Sequence, residues 1–566
     1  MAQVSSSAQG TCGTRTSLRF PLHFIILQPT MLTIHRLAAL AFFSPAVAIL
    51  FSPTKSRTPP RRDNAKELSD DFKLNKHGEL RQRLTNYYDV SYTGVIKIGG
   101  QPVKAIIDTG SFELLVFSVN CTYCGSPENL YDGTKSRSHN YTGANKSHYY
   151  GSGSAETSEI SETVRIGSFH AWPQSLWEVF AASMDVLSWD AFASIFGVGP
   201  PTSAAKMADD DKARAHRQLE EMKRANINIT DEIKAAVRHY DEAASDAWKR
   251  TQVVESMQVR TMSHCLGRQP GSDGFYIWND TAFKRDPKKF TKVKTTGDMY
   301  WSANMTWVKL PSFGKHVSAL TACPGNQSCT AVFDTGTSLI SAPMSEVWRI
   351  QDMLNQWLEH GNSCDDLSSL PNLEFSINGV PLTLPPEAYV GKIAGTDEPS
   401  MFRTVWTHAA PKNGTDWLGK RSAKRRKHSA TASSVKGAVD DDSGECRVTL
   451  MPMDMAASTG PIWILGMPFF REFYTTFIFK KGKDKGHHQP YALAFSKANE
   501  HCNPGWAPGK KEYSSIDGID TLATTAHVHH AFHIDAAKVR VPHLPSFNRP
   551  PPLEQFTKLD PNNVSN

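Results

Sequence analysis

The sequence has no His-Glu-x-x-His segment, so the usual zinc-protease helix is excluded. Cys121-Thr122-Tyr123-Cys124 has no second Cys-x-x-Cys at finger spacing, and the nine cysteines therefore do not read as a zinc framework. Excess charge of one sign is also missing. The 62 Lys and Arg against 56 Asp and Glu leave a net +6 over 566 residues, which gives no reason to expect nucleic-acid binding. Long apolar runs are scarce. The stretch from Leu37 to Val47 is short for a spanning helix and is broken by Pro45. No apolar stretch follows Pro550-Pro551-Pro552, so neither a C-terminal span nor a GPI anchor is expected. The tail gathers His527, His529, His530 and His533 without an acidic or Cys partner at ligand spacing. No metal and no cofactor are expected.

What the chain does contain is Asp-Thr-Gly twice, each time at the end of an apolar run. The first is Ala105-Ile106-Ile107-Asp108-Thr109-Gly110-Ser111, and the second is Ala331-Val332-Phe333-Asp334-Thr335-Gly336-Thr337-Ser338. The apolar residues read as buried strands and Thr-Gly as a tight turn that allows close backbone approach. A single copy would be no more than an Asp capping its own turn. Two copies in matched contexts imply a duplicated lobe and two carboxylates that can meet. Carboxylates about 3 Å apart share one proton over a wide pH range. The ionised partner then takes a proton from water while the protonated one polarises a carbonyl, which is general acid–base hydrolysis. Ser111 and Thr337 stand where their hydroxyls could orient the carboxylates.

Other elements repeat in the same order. Ile195-Phe196-Gly197 follows the first unit and Ile464-Leu465-Gly466 the second. Between the first Asp and its triplet lies Tyr149-Tyr150-Gly151-Ser152-Gly153-Ser154, a glycine-rich hairpin tip. On these motifs the chain resembles the pepsin-like aspartic endopeptidases over roughly Tyr88 to Ala498. The resemblance implies a mostly β, bilobal fold with two pseudo-two-fold-related lobes. It implies Asp108 and Asp334 as the catalytic pair, supported by Thr109, Gly110, Ser111, Thr335, Gly336 and Thr337. Tyr150, Gly151 and Ser152 would form the flap over an extended polypeptide substrate. Disulfides are implied for Cys121 with Cys124, Cys323 with Cys329 and Cys364 with Cys446. Cys265 and Cys502 either form a fourth bridge or stay free.

The chain departs from the family pattern after the first unit. The family reads Asp-Thr-Gly-Ser-Ser-Asn-Leu-Trp-Val, and here Ser111-Phe112-Glu113-Leu114-Leu115-Val116 follows Gly110. Leu115 replaces the tryptophan whose indole usually bonds the flap tyrosine, so a flap held differently is expected. Ala193-Ser194 and Met467 replace acidic positions near the triplets.

His35-Arg36, the apolar stretch after it and Ala46-Val47-Ala48 have the look of a secretory signal with a small-residue cleavage site; a signal anchor is the alternative. The cysteines suit an oxidising compartment. Nine Asn-x-Ser/Thr sequons, at Asn120, Asn140, Asn145, Asn228, Asn279, Asn304, Asn326, Asn413 and Asn563, favour a glycosylated chain, secreted or held in a lysosome- or vacuole-like acidic compartment. The resulting organisation is an extension and signal peptide over 1–48 and a basic propeptide over 49–84, with Lys73 or Lys76 as the plug between the aspartates. A first lobe follows over 85–270 with a helical insertion at about 203–245. The second lobe, 271–498, carries a basic loop insertion at about 395–440, and a His- and Pro-bearing extension covers 499–566.

Asn226-Ile227-Asn228 divides the first insertion into two candidate helices. Lys420-Arg421 and Lys424-Arg425-Arg426-Lys427 mark the second as a processing site or a solvated basic loop. A monomer is expected, because one chain supplies both aspartates. The reading from another class is a catalytically inactive pepsin-fold binding or inhibitor protein.

Overall fold

The computed structural model describes residues 71–125, 130–188, 192–312, 320–323, 328–394, 444–482, 487–509, 531–541, 544, 552 and 553. The expected signal peptide, the propeptide up to residue 70, the basic loop insertion, His527, His529 and His530 lie outside them. So do Asn326, Asn413 and Asn563.

Both apolar runs that lead into Asp-Thr-Gly form strands, Gln101–Asp108 and Cys329–Phe333, with Ile106, Ile107, Val332 and Phe333 buried. Each lies parallel to the strand that carries its triplet. Asp108 stands opposite Gly197 of Ser194–Gly197, and Phe333 opposite Leu465 of Gly460–Leu465. A third strand runs antiparallel to each triplet strand: Leu114–Thr122 in the first half, and Ile340–Ala342, where Ser341 faces Ile464, in the second. A purely apolar triplet suits this place, because a strand flanked on both sides has no polar edge to solvate. The same three-strand unit thus occurs twice, in a mostly β, bilobal architecture.

An antiparallel platform joins the two units. Its strands run in the order Thr291–Lys294, His488–Lys497, Phe473–Lys481, Thr261–Leu266, Gly274–Trp278 and Leu80–Tyr87, the last of which pairs on to Ser91–Ile98 of the first lobe. Aromatic residues fill the space above it. Trp301 meets Phe477 and Phe479 edge-on, and Phe333 packs on Phe469 and Phe495. Edge-to-face contacts of this kind add about 0.5–1.5 kcal/mol each beyond the area buried.

The expected propeptide boundary at 84 falls inside a strand. Residue 84 is interior to the strand Leu80–Tyr87, whose ladder runs to Gly274–Trp278, so residues 80–84 belong to the platform. Among the described residues of the expected propeptide, Lys73 and Lys76 are exposed on the preceding hairpin and are not part of the cavity wall at the aspartates. The boundary at 270/271 falls in the turn between Thr261–Leu266 and Gly274–Trp278.

The first insertion is two helices, α1 (Ser203–Arg224) and α2 (Asp231–Ala247). Thr230 caps the second, its hydroxyl accepting from the Ile233 N–H at 3.4 Å. Met222, Ile233 and Val237 bury the contact between them, while His216 and Lys212 of α1 both reach Asp241 of α2. Beyond residue 530, Phe532–Asp535 adds a parallel strand to Val390–Ala394, which also pairs with Glu445–Val448.

Cys121–Cys124, Cys323–Cys329 and Cys364–Cys446 are bonded, and Cys265–Cys502 forms the fourth bridge. No helix among the described residues is long and apolar enough to cross a membrane.

Candidate active site

The two Asp-Thr-Gly turns meet head to head. Thr109 and Thr335 lock them with a reciprocal set of bonds. The Thr109 N–H donates to Thr335 Oγ1 at 3.1 Å and the Thr335 N–H to Thr109 Oγ1 at 2.9 Å. Each hydroxyl then donates across the interface, Thr109 to the Phe333 carbonyl at 2.8 Å and Thr335 to the Ile107 carbonyl at 2.6 Å. Each threonine is thus both donor and acceptor, a use of the hydroxyl that serine or threonine alone among small side chains permits.

This lock brings Asp108 and Asp334 into hydrogen-bonding contact, with both side chains buried. The Gly110 N–H donates to Asp108 Oδ1 at 2.8 Å and the Gly336 N–H to Asp334 Oδ1 at 2.7 Å. The glycines matter for a second reason. A Cβ on Gly110 would lie 2.7 Å from the Asp334 carboxyl, and one on Gly336 would overlap Asp108 Oδ1. Each turn therefore makes room for the carboxylate of the other.

The pair is not symmetric. The Thr337 hydroxyl donates to Asp334 Oδ2 at 2.5 Å, whereas the Ser111 hydroxyl makes no hydrogen bond among the described residues. The Ser111 carbonyl accepts from the Gly199 N–H at 2.9 Å, and the residue forms part of the cavity wall. Burial, reinforced by the neighbouring Asp108 charge, raises the Asp334 pKa to about 8 against the weaker pull of Thr337 and the Gly336 N–H. The pair accordingly keeps one proton well above the ordinary carboxylate range.

Ile106, Met184, Val186, Phe192 and Ile195 give the cavity at the aspartates an apolar wall, and Tyr150 and Ser152 reach it from the flap. The expected flap lies on the hairpin of Asn140–Tyr150 and Gly153–Ile166, which turns at Gly151-Ser152. Gly153 has φ +138°, and a Cβ there would run into the Ser183 carbonyl, so only glycine closes this turn. Burial, then the Asp108 and Glu113 charges, raise the Tyr150 pKa well above its usual value, and the phenol stays protonated.

With leucine at 115, the indole beside it comes from the neighbouring strand, where Trp177 stands opposite Leu115. Its N–H donates to Glu113 Oε1 at 2.9 Å. Lys146 of the flap strand binds the other oxygen of Glu113, His148 Nδ1 lies 3.6 Å from it, and His148 meets Trp177 edge-on at 5.2 Å. The flap is thus tied down by charge at its outer strand. Burial alone would raise the Glu113 pKa, but Lys146, His148 and the hydrogen bonds from Lys146 and Trp177 bring it down to about 2. A carboxylate with a depressed pKa contributes stability that is fully present above its unfolded value of 4.5 and is lost progressively as pH falls from there through about 2, while the carboxylate itself stays charged down to about 2. Sequence reasoning missed this cluster. The available signal was a glutamate at the family's asparagine position, with Lys146 and His148 on alternate residues of the flap strand. Glu113→Gln keeps the bond from Trp177 and removes the charge. It is expected to lower stability by roughly 1–3 kcal/mol, Lys146 being partly solvated. Limited proteolysis at Tyr149–Gly153 should accelerate with it. An unchanged unfolding temperature together with an unchanged digestion rate would show that the flap is held by other contacts.

The family model described as eukaryotic aspartyl protease matches residues 91–227 and 255–420. The chain is similar to renin of Rattus norvegicus, at 26% identity over 70% of this chain and 78% of that protein. It is likewise similar to pepsin A of Rhinolophus ferrumequinum, 26% identical over 72% and 82%, and to cathepsin D of Gallus gallus, 25% identical over 70% and 79%.

Proposed function

The chain belongs to the eukaryotic aspartyl protease family, and from that premise we propose that it is an active aspartic endopeptidase working in the acid range. The observation that supports this most is the buried contact of Asp108 with Asp334 inside the reciprocal threonine lock. Asp108 and Asp334 hold one proton and one charge between them. The charged carboxylate takes a proton from a water placed between the pair. The protonated one donates to the carbonyl oxygen of the scissile peptide, and a tetrahedral carbon forms without a covalent bond to the protein. Collapse of that carbon sends the proton to the leaving nitrogen. The apolar cavity wall favours apolar side chains at the cleaved bond and keeps bulk water from the proton transfers. An inactive pepsin-fold relative would be expected to lack an aspartate or its turn, and both are present.

Two further parts belong to this reading. The basic segment over 49–84 is the prosegment of a zymogen. The chain travels the secretory pathway, to which four disulfides are suited. Among the described sequons, Asn120, Asn140, Asn145 and Asn228 are exposed and suited to glycosylation, while Asn279 and Asn304 are half-buried.

The test is incubation at pH 3–6 with an unbiased peptide library, with and without a statine-type transition-state analogue. Cleavage blocked by the analogue is expected. Cleavage at an undiminished rate in its presence would contradict the reading.

A further inference from the structure

Three features stand outside the catalytic reading: the tail beyond Ala498, the α1–α2 hairpin and Arg540. The described residues bring them to one place. Arg540 is 6% exposed, and with Val541 it lines the cavity that holds Asp108 and Asp334. Its backbone is bound to the second catalytic segment. The Arg540 N–H donates to Ser338 Oγ at 2.8 Å, its carbonyl accepts from the Ser338 N–H at 3.3 Å, and Ser338 Oγ donates in turn to the Val90 carbonyl at 2.5 Å. Ser338 is four residues past Asp334.

On its N-terminal side this segment is built in firmly. Phe532, Ile534, Ala536 and Val539 bury with Val90, Leu339, Ile393 and Met451. On its C-terminal side, Leu544 is fully buried in an apolar cluster with Phe112, Val332 and Ile464, residues that flank both Asp-Thr-Gly turns. Farther on, Leu553 is fully buried with Met222, Ile233 and Val237 at the contact of α1 with α2. Its N–H donates to Gln218 Oε1 at 2.9 Å, and Tyr240 of α2 donates to the Pro552 carbonyl at 3.3 Å.

From this we infer that the C-terminal segment carrying Arg540, Val541, Leu544 and Leu553 is an internal ligand of the cleft, and that the α1–α2 hairpin is its docking surface. Arg540 forms part of the wall of the cavity that holds the dyad, where a substrate must lie, and Leu544 takes apolar surface beside both Asp-Thr-Gly turns. Backbone pairing to Ser338 is the kind of contact by which extended peptides are recognised. A tethered ligand acts at an effective concentration on the order of millimolar, so an intrinsic dissociation constant of about 0.1 mM would leave roughly a tenth of the clefts open. The inference rests on the reading of this cleft as a peptide-binding one, and it assigns a use to an insertion and an extension that the catalytic pair does not need.

The test compares the unmodified full chain with the full-length double variant Arg540→Asp, Leu544→Asp. Acidic side chains there meet the dyad charge and an apolar surface, so the segment should leave. Two readouts are taken at pH 4: cleavage of an internally quenched peptide with apolar residues around its central bond, and binding of a labelled synthetic peptide of residues 536–553. The expected result is at least a tenfold rise in kcat/KM in the variant. The labelled peptide should bind the variant at least tenfold more tightly than the unmodified chain and be displaced by a statine-type analogue. A chain ending at Asp535, which keeps the strand Phe532–Asp535, repeats the comparison should the double variant fail to fold. Equal binding of the labelled peptide to both proteins would overturn the inference. Tight binding to the variant with no cleavage by either protein would uphold it and overturn the endopeptidase reading alone.

Discussion

Asp334→Asn is expected to lower kcat by about 10³-fold or more, with a much smaller change in KM, because it removes one of the two groups that pass protons in the transition state. Asparagine is nearly isosteric, and its carbonyl oxygen can still accept from the Gly336 N–H, so the turn should keep its shape. The same substitution has a stability signature that reports the proton held at the buried pair. Burial and the Asp108 charge raise the folded-state pKa of Asp334 to about 8, above the ordinary carboxylate value of 3.8. A folded state that holds a proton more tightly than the unfolded chain gains stability below the unfolded pKa. That gain disappears as pH rises through the window from about 4 to about 8. Asparagine has no proton to lose. The difference in unfolding temperature, variant minus unmodified protein, should therefore become more positive from pH 4 to pH 8. His148, whose pKa burial lowers to about 3, contributes an opposite slope in both proteins and cancels in the difference. A flat difference across that range, with activity retained, would remove Asp334 from the dyad.

Gly336→Ala is the second large effect, and it acts on the opposite lobe. The added methyl would overlap Asp108 Oδ1, which the Gly110 N–H holds at 2.8 Å. One of the two must move, and neither can do so freely, since the turn carrying Gly336 is locked through Thr335 to Thr109. Misplacement of a reacting group by about 1 Å costs on the order of 10²-fold in rate. Loss of about 100-fold in kcat is expected, with an overpacking cost of about 1–3 kcal/mol. Steady-state kinetics beside a thermal melt separates the two. Near-normal kcat in a folded protein would mean that the turns are farther apart in solution than the described contact requires.

How much of this was readable in advance depends on the sequence distance over which each feature is written. The turns, the triplets beside them and the flap tip are short local strings, and the strand pairings of Asp108 with Gly197 and Phe333 with Leu465 follow from placing an apolar triplet against an apolar run. Ser111 and Thr337 occupy matching motif positions, yet among the described residues Thr337 bonds its carboxylate and Ser111 does not, because a motif does not set a hydroxyl's direction. Glu113, Lys146, His148 and Trp177 come from four separate stretches, and only the folded sheet shows that they converge. Arg540 is further still from legibility. Its partner Ser338 is about two hundred positions away, and no local string marks the pair. The platform strand Leu80–Tyr87 was obscured by its charge: Arg81 and Arg83 alternate with buried Leu80, Gln82 and Leu84, and the basic count hid the two-residue period.

The bridge between Cys364 and Cys446 has a topological consequence for the basic run at Lys420–Lys427. That run lies inside the covalent ring the bridge closes, so a protease that cuts there opens the ring without dividing the molecule. Both new ends stay anchored, one through Val390–Ala394 and the other through Glu445–Val448, which are neighbours in a single ladder. The chain can thus pass from one polypeptide to two while its mass, apart from the water of hydrolysis, and its catalytic cleft remain those of a single body.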